Sequence, residues 1–399
     1  MASHDADVIV IGSGPAGSTA SALLAEYGHQ VLMIDRDTHP RFHIGESLLP
    51  MGTPVLDRLG IKLDASEYLL KNGAEFIDEV TGQRRRFPLA GQHQPHQVER
   101  AKFDQMLAEN AVARGAQLHQ GDAVRAVSID ADGVAVDTDS ARFRARYLID
   151  ASGRSAFMGR MRQGISRIDN LGRFSLYTHY RNATSAAAQS AYASGDVMIL
   201  MLDIGWFWII PLVGNRLSVG LVVKRTDDLP ARGAALFDRY RAASPILNDL
   251  LAGAEQESPV RSEADFSFSN RQRFGARYAC CGDAAGFLDP VFSSGVFMAV
   301  TSAERIADRV HAALQSDSEG DPRLHEQDDT VYDHGFRSMQ LFVERFYQYD
   351  LVHHLFFEAA RDDGIRNEIA GLLAGDLWSE GNNFQRMLLS GRQNRASNG

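Results

Sequence analysis

The chain has 399 residues, 44% hydrophobic and 23% charged, which is enough apolar material for a sizeable core and for two or three domains. A net charge of −10 excludes the basic face of a nucleic-acid binder. Its two cysteines, Cys280 and Cys281, are adjacent, which excludes a disulfide framework and fits a reducing cytoplasm.

No zinc-ligand spacing occurs, so no metal is expected, and no signal peptide opens the sequence. Residues 7–11 form a β-branched run that predicts a buried strand. Gly12, Gly14 and Gly17 follow at G-x-G-x-x-G spacing, then a helix over 15–27 ended by Gly28, then a strand over 31–34 closing on Asp35. The first glycine makes the tight turn, the second admits a pyrophosphate, and the third lets helix and strand pack closely. With Pro15 and Ala16 in the turn, the helix N-terminus faces the phosphates. Asp35, with Arg36 beside it, is placed at the ribose, where a carboxylate repels a 2′-phosphate and disfavours NADP.

Further along, Arg84, Arg85 and Arg86 read as a solvated hairpin edge. Phe103, Met106, Leu107 and Ala111 recur at helical spacing in VERAKFDQMLAENAVARG, and YLIDASGR (147–154) adds a strand and a turn. The most apolar stretch, 197–223, is interrupted by Asp203, Pro211, Asn215 and Arg216; it predicts two strands joined at VGNR and no membrane span. Within it, WFWIIP (206–211) holds two of the three tryptophans at alternate positions, which points both indoles to one side of a strand. Spacing alone serves an ordinary core sheet equally well.

In YACCGDAAGFLDPVFSSGV (278–296) a strand ends at Cys281, and Ser293, Ser294 and Gly295 precede a long helix over 296–314. Its N-terminus carries partial positive charge, compatible with a serine cap at Ser293 or Ser294. SDSEGDPRLHEQDD, from Ser316, predicts an acidic, solvated connection. From about 330 the chain is helical and aromatic, with Phe336, Phe342, Phe346, Tyr347, Tyr349, Phe356 and Phe357 forming either a cap's core or a substrate entrance. SGRQNRASNG at the end is expected to be disordered.

Two segments favour FAD over NAD. Gly282-Asp283 resembles the G-D element of two-dinucleotide-binding-domain flavoproteins, in which the Asp binds the ribityl chain, and Arg100 resembles the arginine such proteins place near FAD. Taken with GSGPAG, HIGESLLP, Lys71 in LLKNGAEF, DASGR, GDAAGFLDPVFSSGV and above all W-x-W-x-I-P, nearly the whole chain resembles the flavin-dependent halogenases. The likeness is to the branch acting on phenolic, pyrrolic and polyketide-type substrates, related to p-hydroxybenzoate-hydroxylase-like monooxygenases.

The resemblance implies an α/β fold with three parts. Residues 1–62, 97–170 and 262–330 would form a discontinuous Rossmann-like FAD-binding domain, 63–96 and 171–261 an antiparallel-sheet substrate domain, and 331–399 a helical region. It implies a cytoplasmic enzyme of secondary metabolism using O2 and chloride or bromide. Asp150 is followed by Ala151 and Ser152, where single-component hydroxylases carry a D-G element, so FADH2 would come from a separate reductase.

By the same resemblance Trp206 and Trp208 wall the flavin off from the substrate, so that oxidant meets halide and gives hypohalous acid. Lys71 then guides that acid to an electron-rich phenol or pyrrole, free or tethered to a carrier protein. Glu46 and Ser47 are placed near the flavin, although Glu46 also reads as a helix-start carboxylate. The N–H groups of Ser294 and Gly295 would hold halide, and Val296 lies beside the flavin pyrimidine ring. Tryptophan halogenases carry a glutamate where this chain has Phe292, so free tryptophan is not the expected substrate. The alternative is a flavin oxidase, dehydrogenase or hydroxylase of the same fold.

Overall fold

The computed structural model describes residues 4–89, 93–168, 171–264, 267–348, 353–378 and 381–390. Tyr349 and all but the first residue of the C-terminal SGRQNRASNG lie outside the described residues.

Two large sheets organise the α/β fold. In the first, Ala6–Ile11 lies between Val31–Asp35 and Arg142–Asp150, with Gln117–Gln120 beyond the former and Tyr278–Cys280 beyond the latter, all parallel. Val8, Ile9 and Val10 are fully buried, as a strand covered on both faces requires. The helices Pro15–Glu26 and Ser294–Gln315 pack against one face through Ala20, Leu24, Ala303 and Val310. The carboxyl ends of the strands at Gly12 and Ala151 therefore meet, the place where parallel α/β sheets bind ligands.

The second sheet is mostly antiparallel. Its order is Glu255–Gln256, Arg173–Arg181, Arg216–Lys224, Gly205–Leu212, Val197–Met201, Gly73–Asp78, Arg84–Pro88, with Arg261–Ala264 also paired to Arg173–Arg181. Gly214 and Asn215, both at positive φ, make the VGNR hairpin between the two long central strands. Alternation along Gly205–Leu212 sends Phe207 and Ile209 into one core and Trp206, Trp208 and Ile210 into the other. The second core is completed by Phe336, Phe342, Phe346, Phe356 and Phe357 from the C-terminal helices.

Two charged segments differ from expectation. The acidic connection is anchored: Glu319 is only 4% exposed and bridges Arg146 and Arg277, each at 3.0 Å. The arginine run is not simply solvated. Arg86 binds the buried Asp196 at 2.5 Å, and Arg85 donates to Phe357 O at 3.3 Å, while Arg84 makes an exposed pair with Glu75. Among the described residues no helix is long and apolar enough to cross a membrane.

Candidate functional site

The glycine turn divides into two kinds of position. A Cβ on Gly12, at φ +96°, would sit 2.5 Å from Ala151 O, and one on Gly17 would sit 1.9 Å from Gly12 O. These glycines are demanded by backbone packed on backbone. Gly14 is different: its Cβ would meet only the Arg41 guanidinium, at 3.3 Å. The helix behind it starts at Pro15 with no side-chain cap, so no side chain of the N-cap residue takes up its first free N–H groups. A cradle open at Gly14 and closed at Gly12 and Gly17 fits a dinucleotide pyrophosphate.

Asp35 turns inward. It accepts from Ser13 N and Ser13 Oγ, both at 2.7 Å, and from Asp37 N at 3.0 Å. It thereby braces the glycine turn, while Arg36 is exposed and reaches Ser155 Oγ at 3.2 Å.

Arg100 is buried and clamped. It makes two bonds to Asp104, at 2.7 and 3.0 Å, and donates to Ile44 O and Gly45 O at 3.0 and 3.2 Å. A guanidinium with two planar donor edges can tie a helix to a loop in this way. What it fixes is the segment carrying Glu46 and Ser47. Glu46 is not a helix-start carboxylate, since its segment is extended and the next helical turn begins at Pro50. It is 2% exposed and accepts from His179 Nε2 at 2.7 Å, across to the second sheet. Burial pulls the His179 pKa down, but the charge and hydrogen bond of Glu46 outweigh it and raise the value above 6.5. The second oxygen, Oε2, has no partner among the described residues.

Two residues farther along, Leu48 O holds the Lys71 ammonium at 3.0 Å. Lys71 is 3% exposed, and desolvation lowers its pKa to about 7 against a small opposing pull from Asp196. Such a lysine exchanges its proton near neutrality, which an exposed one does not.

The tryptophan strand is packed tightly. Trp206 and Trp208 have ring centroids 6.2 Å apart, and both are at most 6% exposed. Trp208 donates to Ser218 Oγ at 3.2 Å, and Tyr177 lies 5.8 Å from it. Trp206 donates to Tyr347 OH at 3.0 Å, and that hydroxyl donates to Asp289 Oδ2 at 2.9 Å. The Arg173 guanidinium covers the Tyr347 ring at 3.1 Å. Burial pushes the Asp289 carboxyl up to about 6, though Tyr347 and the Val291 N–H pull it down.

The long helix runs Ser294–Gln315. Ser293 precedes it at φ 57°, a left-handed conformation, and makes no side-chain cap bond to the first turn. A Cβ on Gly295 would lie 4.0 Å from Asp283 Oδ1, so Asp283 faces the helix start. Burial pushes the Asp283 carboxyl to about 6, with Arg154 and Arg100 opposing. Phe292 stacks on Phe342 at 4.1 Å and 11° in the aromatic core, so no carboxylate stands there.

Residues 5–327 match the FAD binding domain family. A 1H-pyrrole-2-carbonyl-(peptidyl-carrier protein) chlorinase of Pseudomonas fluorescens is 30% identical over 95% of this chain and 91% of its own. This chain belongs to the flavin-dependent halogenases. The halogenase is a flavin enzyme and its cofactor is FAD. A tryptophan 2-halogenase of Chondromyces crocatus is 31% identical over 74% of the chain, which spans 59% of that relative. In structure the halogenase is similar to the flavin-dependent brominase Bmp2, with TM-score 0.88 and 25% identity over 99% of this chain and 100% of that one. It is also similar to a flavoprotein/dehydrogenase from Cytophaga hutchinsonii, with TM-score 0.87 and 25% identity over 96% of both.

In this halogenase the glycine turn, Asp283 and the Ser294–Val296 helix start adjoin the first sheet, whereas the tryptophans belong to the second. His179, Arg173, Ser218 and Asp104 were missed in the sequence, and Tyr347 was read only as one of the C-terminal aromatics. None carries a local motif: His179 and Arg173 act through partners far along the chain, Ser218 through Trp208 across a hairpin, and Asp104 through Arg100 one helical turn away. Gly220, in the interior of a strand, left the one readable signal: a glycine there marks a close approach.

Proposed function

We propose that this halogenase takes FADH2 from a separate reductase and uses O2 and chloride or bromide to halogenate an electron-rich aromatic ring. A pyrrole or phenol is the substrate class, and a pyrrolyl group on a carrier protein is favoured by the chlorinase likeness. Bound reduced FAD, with O2, supplies the oxidising equivalent that converts halide to hypohalous acid. The chain's own residues do the rest.

The uncapped N–H groups of Ser294 and Gly295 attract halide. Asp283 takes the ribityl hydroxyls and the turn at Gly14 the pyrophosphate. Trp206 and Trp208 exclude the arene from the oxidant's side. Glu46, oriented by its hydrogen bond with His179, offers its second oxygen as an acceptor at the edge of the site.

The observation that carries this reading is Lys71: a buried ammonium held, among the described residues, by one backbone carbonyl and poised near neutrality. It can donate a hydrogen bond to hypohalous acid or, as the free amine, take up the halogen. Phe292 offers no carboxylate to assist an unactivated indole, so a self-activating phenol or pyrrole suits the site better than free tryptophan.

The test supplies FAD, a flavin reductase, NADH, oxygen and bromide with a panel of phenols and pyrroles. Brominated product is expected, with Lys71→Ala losing it while still binding FAD; unchanged yield from that variant overturns the Lys71 assignment. The fold likeness to a flavoprotein/dehydrogenase favours one alternative, oxidation without halide. Desaturated or hydroxylated product in bromide-free buffer would select it.

A further inference from the structure

The small ribbon that carries Lys71 holds polar groups not used above. Leu69 pairs with Gln97 and Leu70 with His96, and the bond from Lys71 N to Pro95 O at 2.9 Å extends the ladder by one residue. Residues two apart on one strand share a face with their cross-strand partners. Lys71 and Gln97 are thus diagonal neighbours on one face, at a Cα separation of roughly 7–8 Å that two long side chains can span. Ser47 pairs with Gln97 across a bridge and shares that face. Lys71, Gln97 and Ser47 are 3%, 1% and 4% exposed, so water does not satisfy them freely.

Buried polar atoms are normally hydrogen-bonded. Gln97 is pinned through Nε2, which donates to Gly195 O at 3.1 Å, yet its Oε1 has no partner among the described residues. Neither has Ser47 Oγ. A protonated Lys71 has three N–H donors and, among the described residues, one acceptor, Leu48 O. One dry face therefore presents spare donors and a spare acceptor together. A halide ion does not match it, because the amide oxygen repels an anion. A small neutral molecule that both accepts and donates does match.

We propose that Gln97 is a further residue of the halogenating site. Its Oε1 accepts the O–H of hypohalous acid whose oxygen is held by Lys71 Nζ, and Ser47 Oγ completes the station. The halogen then points away from the ribbon. This rests on the reading of Lys71 given above.

The test uses the FAD-loaded enzyme with reductase, NADH, oxygen, bromide and a phenol or pyrrole that the parent brominates. Three quantities are measured: brominated product, escaped hypobromous acid trapped by monochlorodimedone, and FAD affinity by fluorescence. For Gln97→Leu, product should fall at least tenfold and trapped acid should rise, with FAD affinity within twofold of the parent. Product within twofold of the parent, loss of product without a rise in trapped acid, or a tenfold loss of FAD affinity each overturns the proposal.

Should the leucine variant fail to fold, Gln97→Glu preserves the shape. Its carboxylate would hold Lys71 charged and move the alkaline limit of the product pH profile up by at least one unit; an unmoved profile overturns the proposal. Lys71→Ala run in parallel separates the two ideas. If it retains product, the Lys71 reading fails; if it loses product while Gln97→Leu does not, only the Gln97 inference fails.

Discussion

Trp208 lies flat against Gly220, its direct cross-strand partner, so closely that a Cβ on Gly220 would sit 2.1 Å from the indole Cζ2. The glycine is a notch that lets one indole recline beside the other. Gly220→Ala should lift Trp208 off the strand and cost about 1–3 kcal/mol, the usual range for overpacking a core. If the indoles partition oxidant from arene, the variant should also divert turnover into hydrogen peroxide or hydroxylated product. Chemical denaturation and product analysis measure the two effects, and halogenation at parental yield would detach the wall from its assigned role.

The glycine turn gives a second contrast. Gly17→Ala should destabilise the fold by about 3 kcal/mol or prevent folding, because its methyl would collide with the Gly12 carbonyl. Gly14→Ala meets only the mobile end of Arg41, so folding should survive while FAD affinity falls about tenfold or more. Thermal melts of the apo proteins and flavin titrations distinguish the two. Equal loss of stability in both would refute the assignment of Gly14 to the pyrophosphate.

Lys71 predicts a trade of stability against activity. Its pKa in the folded chain, about 7, lies below the ordinary 10.5. The desolvation cost is therefore full below pH 7. As pH rises from 7 toward 10.5 the folded chain loses its proton before the unfolded one does, so native stability increases. Lys71→Met should stabilise the apo protein by roughly 3 kcal/mol at pH 6, with the gain shrinking toward pH 10, while abolishing halogenation. Urea titrations at several pH values check this; a gain that does not vary with pH would contradict it.

Tyr347→Phe removes a hydroxyl that serves both Trp206 and Asp289. The indole N–H loses its acceptor at a cost of about 1–3 kcal/mol. Asp289 loses a donor that favours its charged form, so its pKa should rise above the present value of about 6. A carboxyl whose folded pKa is raised takes stability away as pH climbs through the window from about 4 to that value. The variant's deficit should accordingly be smallest near pH 4.5 and grow by pH 8. A deficit constant across that range would show that Asp289 is insensitive to Tyr347.

Much of the architecture was legible from local pattern. The β-branched run over 7–11 and the glycine spacing predicted the observed strand and the helix Pro15–Glu26. The VGNR turn and the tryptophans on one face appeared as expected, because period-two alternation directly encodes which side of a strand is buried. Phe292 was recognised as a departure, and its packing on Phe342 supplies the reason a carboxylate is missing there.

What remained hidden shares one physical cause. Glu46 and His179 are 133 residues apart in the chain, and Trp206 and Tyr347 are 141 apart. Arg86 was read as solvated because nothing local announces Asp196. Sequence by itself determined the strands, the helices, the buried faces and the dinucleotide turn, since those follow from short-range sterics and hydrophobic periodicity. Only the tertiary structure decided which buried polar groups found partners and which, like Gln97 Oε1, did not, because hydrogen bonds between distant segments exist only once the topology has brought them together.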